Sequence, residues 1–190
     1  MTRFCHVILD RDGVLNYEAP GGYVTDPDQW VWIEGVLDAL AKMAQAGLRL
    51  SVATNQSCVK RGIIDQQTLE TIHDRMRRDA AAKGIFFSGI HFCPHTPDQG
   101  CRCRKPEPGL IEEAVQQSGI SKNQTVFIGD SQSDLQAGRA AGIATWLVRT
   151  GKGKNTEAAL KEGMIQGISA ENVQIFEDLG QACAALLART

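Results

Sequence analysis

Three apolar runs of this chain stop abruptly at polar residues suited to one kind of chemistry. Val7-Ile8-Leu9 meets Asp10-Arg11-Asp12-Gly13, Leu50-Ser51-Val52-Ala53 meets Thr54-Asn55-Gln56-Ser57, and Val126-Phe127-Ile128 meets Gly129-Asp130. Short apolar runs bounded by turn formers read as buried strands, and parallel α/β sheets bind ligands beyond the carboxyl ends of their strands. Side by side, these three ends bring together three carboxylates and a hydroxyl. Carboxylates so crowded repel one another, and hard oxygen ligands around a partly hydrated Mg²⁺ relieve the repulsion. The matching reaction is phosphoryl transfer, because Mg²⁺ neutralises both an attacking carboxylate and the phosphate it approaches. Asp10 is the candidate nucleophile. Asp12, two residues on, is placed to protonate the leaving oxygen and later to activate water, and Gly13 allows the tight turn between them and the chain that follows. Arg104-Lys105 supplies cations for the phosphoryl oxygens. A single Asp-x-Asp after a strand is commonly only a turn or a helix cap; the weight lies in the ordered set.

A second cluster lies in the segment 93–103. Cys93-Pro94-His95 and Cys101-Arg102-Cys103 offer three sulfurs and one nitrogen, the stoichiometry of a structural tetrahedral Zn²⁺ site formed by Cys93, His95, Cys101 and Cys103. Both half-sites are tighter than the usual C-x₂₋₄-C spacing. A redox pair or unrelated loop cysteines are the competing readings. A bound metal would stiffen the loop that carries Arg104 and Lys105 and so aim them.

These groups must be held by alternating strands and helices. Strand candidates are Cys5–Leu9, Leu48–Ala53, Gly89–Phe92, Thr125–Ile128, Ala144–Val148 and Val173–Phe176. Helical periodicity covers Val36–Ala46, Gln67–Lys83, Gly109–Ser118, Asp134–Ala141 and Leu179–Ala188. The rhythm predicts an α/β fold of Rossmann type: a mostly parallel sheet with helices on both faces. No repeat or low-complexity linker divides the chain, so one domain over residues 1–190 is expected. The stretches 16–29 and 93–108 are the longest without periodicity, and long ordered loops are often functional.

Composition narrows the partners. Twenty Lys and Arg against 22 Asp and Glu give a formal charge of −2, which offers no footprint for nucleic acid or an anionic membrane. A small-molecule substrate is expected. With no signal-peptide pattern and no apolar stretch long enough to span a bilayer, the expected location is the cytoplasm, where clustered cysteines read as metal ligands rather than disulfides. No exposed heptad or long apolar edge calls for assembly, so a monomer is expected.

With these residues in place the chain resembles the haloacid dehalogenase superfamily of phosphatases. Its four motifs correspond to Asp10-Arg11-Asp12-Gly13-Val14-Leu15, Thr54, Lys105, and Gly129-Asp130 with Asp134. The resemblance implies Asp10 as nucleophile, Asp12 as general acid and base, Thr54 and Lys105 as phosphoryl stabilisers, and Asp10, Asp12 (through its backbone carbonyl) and Asp130 as Mg²⁺ ligands, with Asp134 supporting them. Only residues 11–53 separate Asp10 from Thr54, too few for a large cap domain beside the loop and helix already there. A capless member with its specificity in loops follows. Within the superfamily, Gly22-Tyr23-Val24, Thr54-Asn55-Gln56-Ser57 with Arg61, the cysteine loop, and Leu147-Val148-Arg149-Thr150-Gly151-Lys152-Gly153 resemble the heptose bisphosphate phosphatases of lipopolysaccharide and S-layer sugar synthesis. That implies a zinc loop, hydrolysis of the 7-phosphate of a heptose 1,7-bisphosphate, and substrate contacts from Tyr23, Asn55, Arg61, Arg104 and Ser131. Some members of that family place a Lys where this chain has Ser131. Histidinol-phosphate phosphatases carry a similar cysteine loop and are the alternative.

Overall fold

The computed structural model describes residues 3–189. Six strands form one sheet: β1 His6–Leu9, β2 Arg49–Asn55, β3 Phe87–Cys93, β4 Thr125–Gly129, β5 Ala144–Val148 and β6 Gln174–Phe176. Every neighbouring pair is parallel, in the order β3-β2-β1-β4-β5-β6. The strand order therefore reverses between β1 and β4, and the crevice beyond their carboxyl ends is the switch point at which such sheets bind ligands. The expected Rossmann-like sheet is observed, fully rather than mostly parallel.

Alternate residues of each strand face opposite layers. Val7 and Leu9 of β1, Leu50 and Val52 of β2, Val126 and Ile128 of β4, and Trp146 and Val148 of β5 pack on α1 (Val36–Gln45), α2 (Gln66–Ala81) and α6 (Leu179–Leu187). Ile8, Ala53 and Phe127 point the other way, against α3 (Gly109–Ser118) and α4 (Gln132–Ala141). A smaller cluster of Leu135, Leu147, Leu160 and Ile165 closes the edge under α5 (Gly153–Lys161). Helix starts are set by side-chain caps: Asp65 accepts from Thr68 N, Ser131 and Asp134 form a reciprocal capping box, and Asp178 accepts from Gln181 N.

Helix α5 lies outside the sequence expectation. It opens on Gly-Lys-Asn-Thr, and its buried residues include Thr156 and Glu157, so no apolar stripe announces it. α4 begins two residues earlier than expected, at Gln132, because Ser131 caps it. Cys183 is buried in the core, whereas Cys5 is half-buried. Trp30 and Trp32 pack edge to face, and Trp32 Nε1 donates to Asp79 Oδ2 on α2, which ties the first long loop to the body. Between β1 and β2 lie a 3-10 turn at Pro27–Gln29 and α1, and between β2 and β3 only α2. No inserted domain covers the carboxyl edge of the sheet among the described residues, in keeping with a capless architecture. Among those residues no helix is long and apolar enough to cross a membrane.

Candidate active site

The three strand ends converge as the sequence predicts. Asp10 N donates to Ile128 O at 3.0 Å, so the β1–β4 ladder continues into the nucleophile position and fixes its backbone. Asp10 Oδ1 accepts from Arg11 N at 2.7 Å and sits 2.7 Å from Lys105 Nζ. Lys105 Nζ is equally close to Asp134 Oδ1 and donates to Ala53 O at 2.9 Å. Only 3 % exposed, Lys105 is the shared counter-ion of two buried carboxylates. Burial alone would pull its ammonium down, but Asp10 and Asp134 more than reverse this and hold it above the ordinary lysine range. Asn55 grips its backbone from both sides, Nδ2 donating to Lys105 O and Oδ1 accepting from Lys105 N, each at 3.0 Å.

Asp130 stands opposite Asp10. Its Oδ2 accepts from Lys152 N at 2.8 Å and its carbonyl from Thr156 Oγ1 at 2.8 Å. Gly13 and Gly151 approach this carboxylate so closely that a Cβ on either would fall 2.1 Å from Asp130 Oδ2. Both hold positive φ, +87° and +56°, so glycine is required there on two counts. Asp134 Oδ2 accepts from the backbone N–H groups of Asp130 and Ser131 and from Ser131 Oγ.

Charge decides what can occupy the space between them. Asp10, Asp130 and Asp134 bring ligand oxygens within 4.8 Å of one another, and Lys105 pairs with two of them, Asp10 and Asp134. Burial first, then Asp134 and Asp10, push Asp130 up to about 8; burial and Asp134 push Asp10 up to about 7 against the pull of Lys105. Buried carboxylates short of positive charge, offering only hard oxygen, fit a divalent cation such as Mg²⁺.

Asp12 has a different environment. Arg11 Nη2 and Asn16 Nδ2 donate to its Oδ1 at 3.0 and 2.9 Å, and Gln56 Nε2 donates to its Oδ2 at 2.8 Å and to Thr54 Oγ1 at 2.9 Å. Burial opposes ionisation, but the Arg11 guanidinium and these amides prevail and hold Asp12 below the usual carboxylate range. Arg11 itself is fully buried, stacked over Trp30 and 3.4 Å from His73 Nε2.

The cavity over these groups has a volume of about 770 Å³, within the usual range for small-molecule sites of roughly 300–1,000 Å³. Tyr23, Thr54, Asn55, Arg104, Lys105 and Ser131 of the expected set line it. Tyr23 is braced by a 3.0 Å hydrogen bond between its hydroxyl and Ser57 Oγ. Arg104 Nη1 donates to His95 O at 3.0 Å. Ser131 spends its hydroxyl on the α4 cap, on Ser133 and on Asp134. Arg61 does not line the cavity: it is exposed, on the turn after β2, where its charge is felt by Asp98 of the cysteine loop. Arg11, Gln56, Glu18 and Lys152 complete the site without having been singled out for it, and sequence carried little signal for them, since a buried arginine is written like any surface one.

In the cysteine loop, Cys93, His95, Cys101 and Cys103 do converge. Cys93 Sγ lies 3.5 Å from His95 Nδ1 and from Cys101 Sγ, and Cys103 Sγ lies 3.3 Å from His95 Nδ1, 3.0 Å from Cys93 Sγ and 3.4 Å from Cys101 Sγ. The three cysteines are free thiols. A tetrahedron with Zn–S bonds of about 2.3 Å has edges of about 3.8 Å, so this donor set fits zinc with small adjustment.

The chain matches the HAD-hydrolase-like family model over residues 102–182. It is similar to the D-glycero-beta-D-manno-heptose-1,7-bisphosphate 7-phosphatase of Bordetella bronchiseptica, 41 % identical over 181 residues covering 95 % of this chain and 97 % of the relative. The enzyme of that name from Neisseria meningitidis serogroup A is 44 % identical over 173 residues, 91 % of this chain and 89 % of the relative. Among solved structures, D,D-heptose 1,7-bisphosphate phosphatase from B. bronchiseptica, complexed with magnesium and phosphate, superposes with a TM-score of 0.88 at 40 % identity over 97 % of this chain and 99 % of that one. The chain thus belongs to the heptose-1,7-bisphosphate 7-phosphatase family of HAD-like hydrolases and is, with that family, a phosphoric monoester hydrolase.

Proposed function

We propose that this protein hydrolyses the 7-phosphate of D-glycero-D-manno-heptose 1,7-bisphosphate through an aspartyl-phosphate on Asp10, in the cytoplasmic synthesis of nucleotide-heptose precursors, as a single capless domain acting as a monomer. The observation that carries the reading is the convergence of Asp10, Asp12, Asp130 and Lys105 at the β1–β4 switch point, in a chain so similar to enzymes named for that reaction. Asp10 attacks phosphorus as the bond to the sugar O7 breaks, and Asp12 gives its proton to the departing oxygen. Asp12 then takes a proton from water, which attacks the acyl phosphate, and the bond from phosphorus to Asp10 breaks to release phosphate and regenerate the carboxylate. Arg11 keeps Asp12 ionised at rest. The arriving phosphate, of like charge, raises the proton affinity of Asp12 when an acid is needed. Lys105 and Thr54 stabilise the charge on the transferring oxygens, while Asn55 positions Lys105.

Asp10, the Asp12 carbonyl and Asp130 would hold Mg²⁺, supported by Asp134. The metal neutralises charge between nucleophile and phosphate when bound. Zn²⁺ on Cys93, His95, Cys101 and Cys103 would fix the loop that aims Arg104. Tyr23, Arg104 and Ser131 face the sugar, whereas Arg61 lies outside the cavity lining. Histidinol phosphate is the disfavoured alternative, since the relatives at 41 % and 44 % identity are named for the heptose bisphosphate reaction. An Asp12→Asn variant given an aryl phosphate, whose leaving group needs no proton, should accumulate a phosphate adduct on the peptide carrying Asp10. An adduct elsewhere, or none with phosphate still released, refutes the covalent route.

A further inference from the structure

Four carboxylates line the cavity, Asp10, Asp12, Glu18 and Asp130, against three cations, Arg104, Lys105 and Lys152. A sugar bisphosphate brings further negative charge, so the cations it can recruit decide whether it binds. Lys105 is held by Asp10 and Asp134 at the reacting centre, where it serves the transferring phosphoryl group rather than a distal one. Arg104 is partly engaged, through one nitrogen on the His95 carbonyl. Lys152 differs from both. Its backbone N–H is fixed to Asp130 at 2.8 Å, while its ammonium extends outward to Glu18 Oε1 at 2.6 Å. The ammonium therefore stands one lysine side chain outward from the reacting centre, in the same cavity. Its side chain is 60 % exposed and that of Glu18 35 %. Ion pairs this open contribute little, so a phosphate dianion, with more charge and more acceptor oxygens than a carboxylate, displaces Glu18 readily.

We infer that Lys152 is a specificity-determining residue that takes the distal phosphate of a bisphosphate substrate, and that Glu18 is its internal placeholder, occupying the ammonium until that phosphate arrives. The inference rests on the phosphatase reading above and assigns the second phosphate to the turn between β5 and α5. Glu18 comes from the loop between β1 and α1, so the pair also spans the cavity from two distant segments. Once released, Glu18 is left beside the sugar, where a carboxylate accepts hydroxyl hydrogen bonds.

The two halves of the pair should respond in opposite senses. With heptose 1,7-bisphosphate and heptose 7-phosphate as matched substrates, Lys152→Met should lower the ratio of their kcat/KM values about tenfold, about 1.4 kcal/mol, through KM for the bisphosphate. Lys152→Arg should keep that ratio within about threefold, since a cation is retained. Glu18→Gln should lower KM for the bisphosphate about threefold by freeing the ammonium, a sign that a purely structural clasp would not give. An unchanged ratio in Lys152→Met, or a Glu18→Gln variant that weakens binding as Lys152→Met does, overturns the inference alone. Wild-type protein that turns over neither sugar overturns the functional reading, and the inference with it.

Discussion

Lys105 is the residue whose removal tests the electrostatics of the site most sharply. Replacing it with Met keeps the volume and removes the charge that lies 2.7 Å from both Asp10 and Asp134 and the donor to Ala53 O. Asp134 is fully buried and Asp10 is 8 % exposed, so neither finds water in place of the lost ammonium. Breaking a buried pair costs about 3–5 kcal/mol, and in a domain of this size each kcal/mol moves Tm by about 2–4 °C. The metal-free variant should melt roughly 6–20 °C below wild type at pH 8. The pH dependence gives the sharper test. Without Lys105, burial and Asp134 act on Asp10 unopposed, so the folded variant holds protons that its unfolded chain, with carboxyls near 3.8, releases. A folded state that binds more protons gains stability as pH falls, and the gap between variant and wild type should narrow at pH 5. Scanning calorimetry at both pH values measures this. A variant within about 2 °C of wild type at both, on the same scale, refutes the assignment of Lys105 as counter-ion to the site.

Other consequences follow from the same geometry. Gly151→Ala places a Cβ 2.1 Å from Asp130 Oδ2 and 2.6 Å from Gly13 Cα at a positive φ; displacing this carboxylate should weaken Mg²⁺ activation about 10- to 100-fold, read as the metal concentration at half-maximal activity. His6 and His73 are buried and neutral, held down to about 4 and about 3, chiefly by burial and then by Arg49 and Arg11 respectively. Below the free value of 6.5 the unfolded chain takes up protons that the fold refuses, so stability falls with pH, by about 3 kcal/mol for the pair at pH 5.5. Urea midpoints at pH 7.5 and 5.5 should show this loss in wild type and less of it in His6→Asn. Cys101→Ser should leave far less than one zinc per chain by metal analysis and lower activity at least about tenfold through the loss of loop support, with the circular dichroism of the sheet unchanged.

What sequence reveals and what it hides divide along physical lines. The strand ends at Leu9, Ala53 and Ile128 are legible because a strand buried on both faces is a continuous apolar run, and the first polar residue after it marks the edge of the sheet. The cysteine loop is legible because its ligands lie within a few residues of one another. Arg11 is not: nothing local distinguishes an arginine buried against Trp30 and His73 from a solvated one. The pairing of Glu18 with Lys152 joins segments that only the closed sheet brings together. Helix α5 escapes notice because Thr156 is buried to serve the Asp130 carbonyl and Glu157 to pair with Arg149, so polar positions fill the place of an apolar stripe. Arg61 is the opposite case: the resemblance implies a substrate contact, but the turn after β2 leaves it outside the cavity lining.

The most direct test of the central claim is phosphate release under Mg²⁺ by one zinc-replete sample, comparing kcat/KM for heptose 1,7-bisphosphate with that for histidinol phosphate. A preference of about 100-fold for the bisphosphate is expected, about 2.7 kcal/mol of differential transition-state binding, abolished together with all turnover in Asp10→Asn. Equal or reversed preference, or turnover that survives Asp10→Asn, would contradict it.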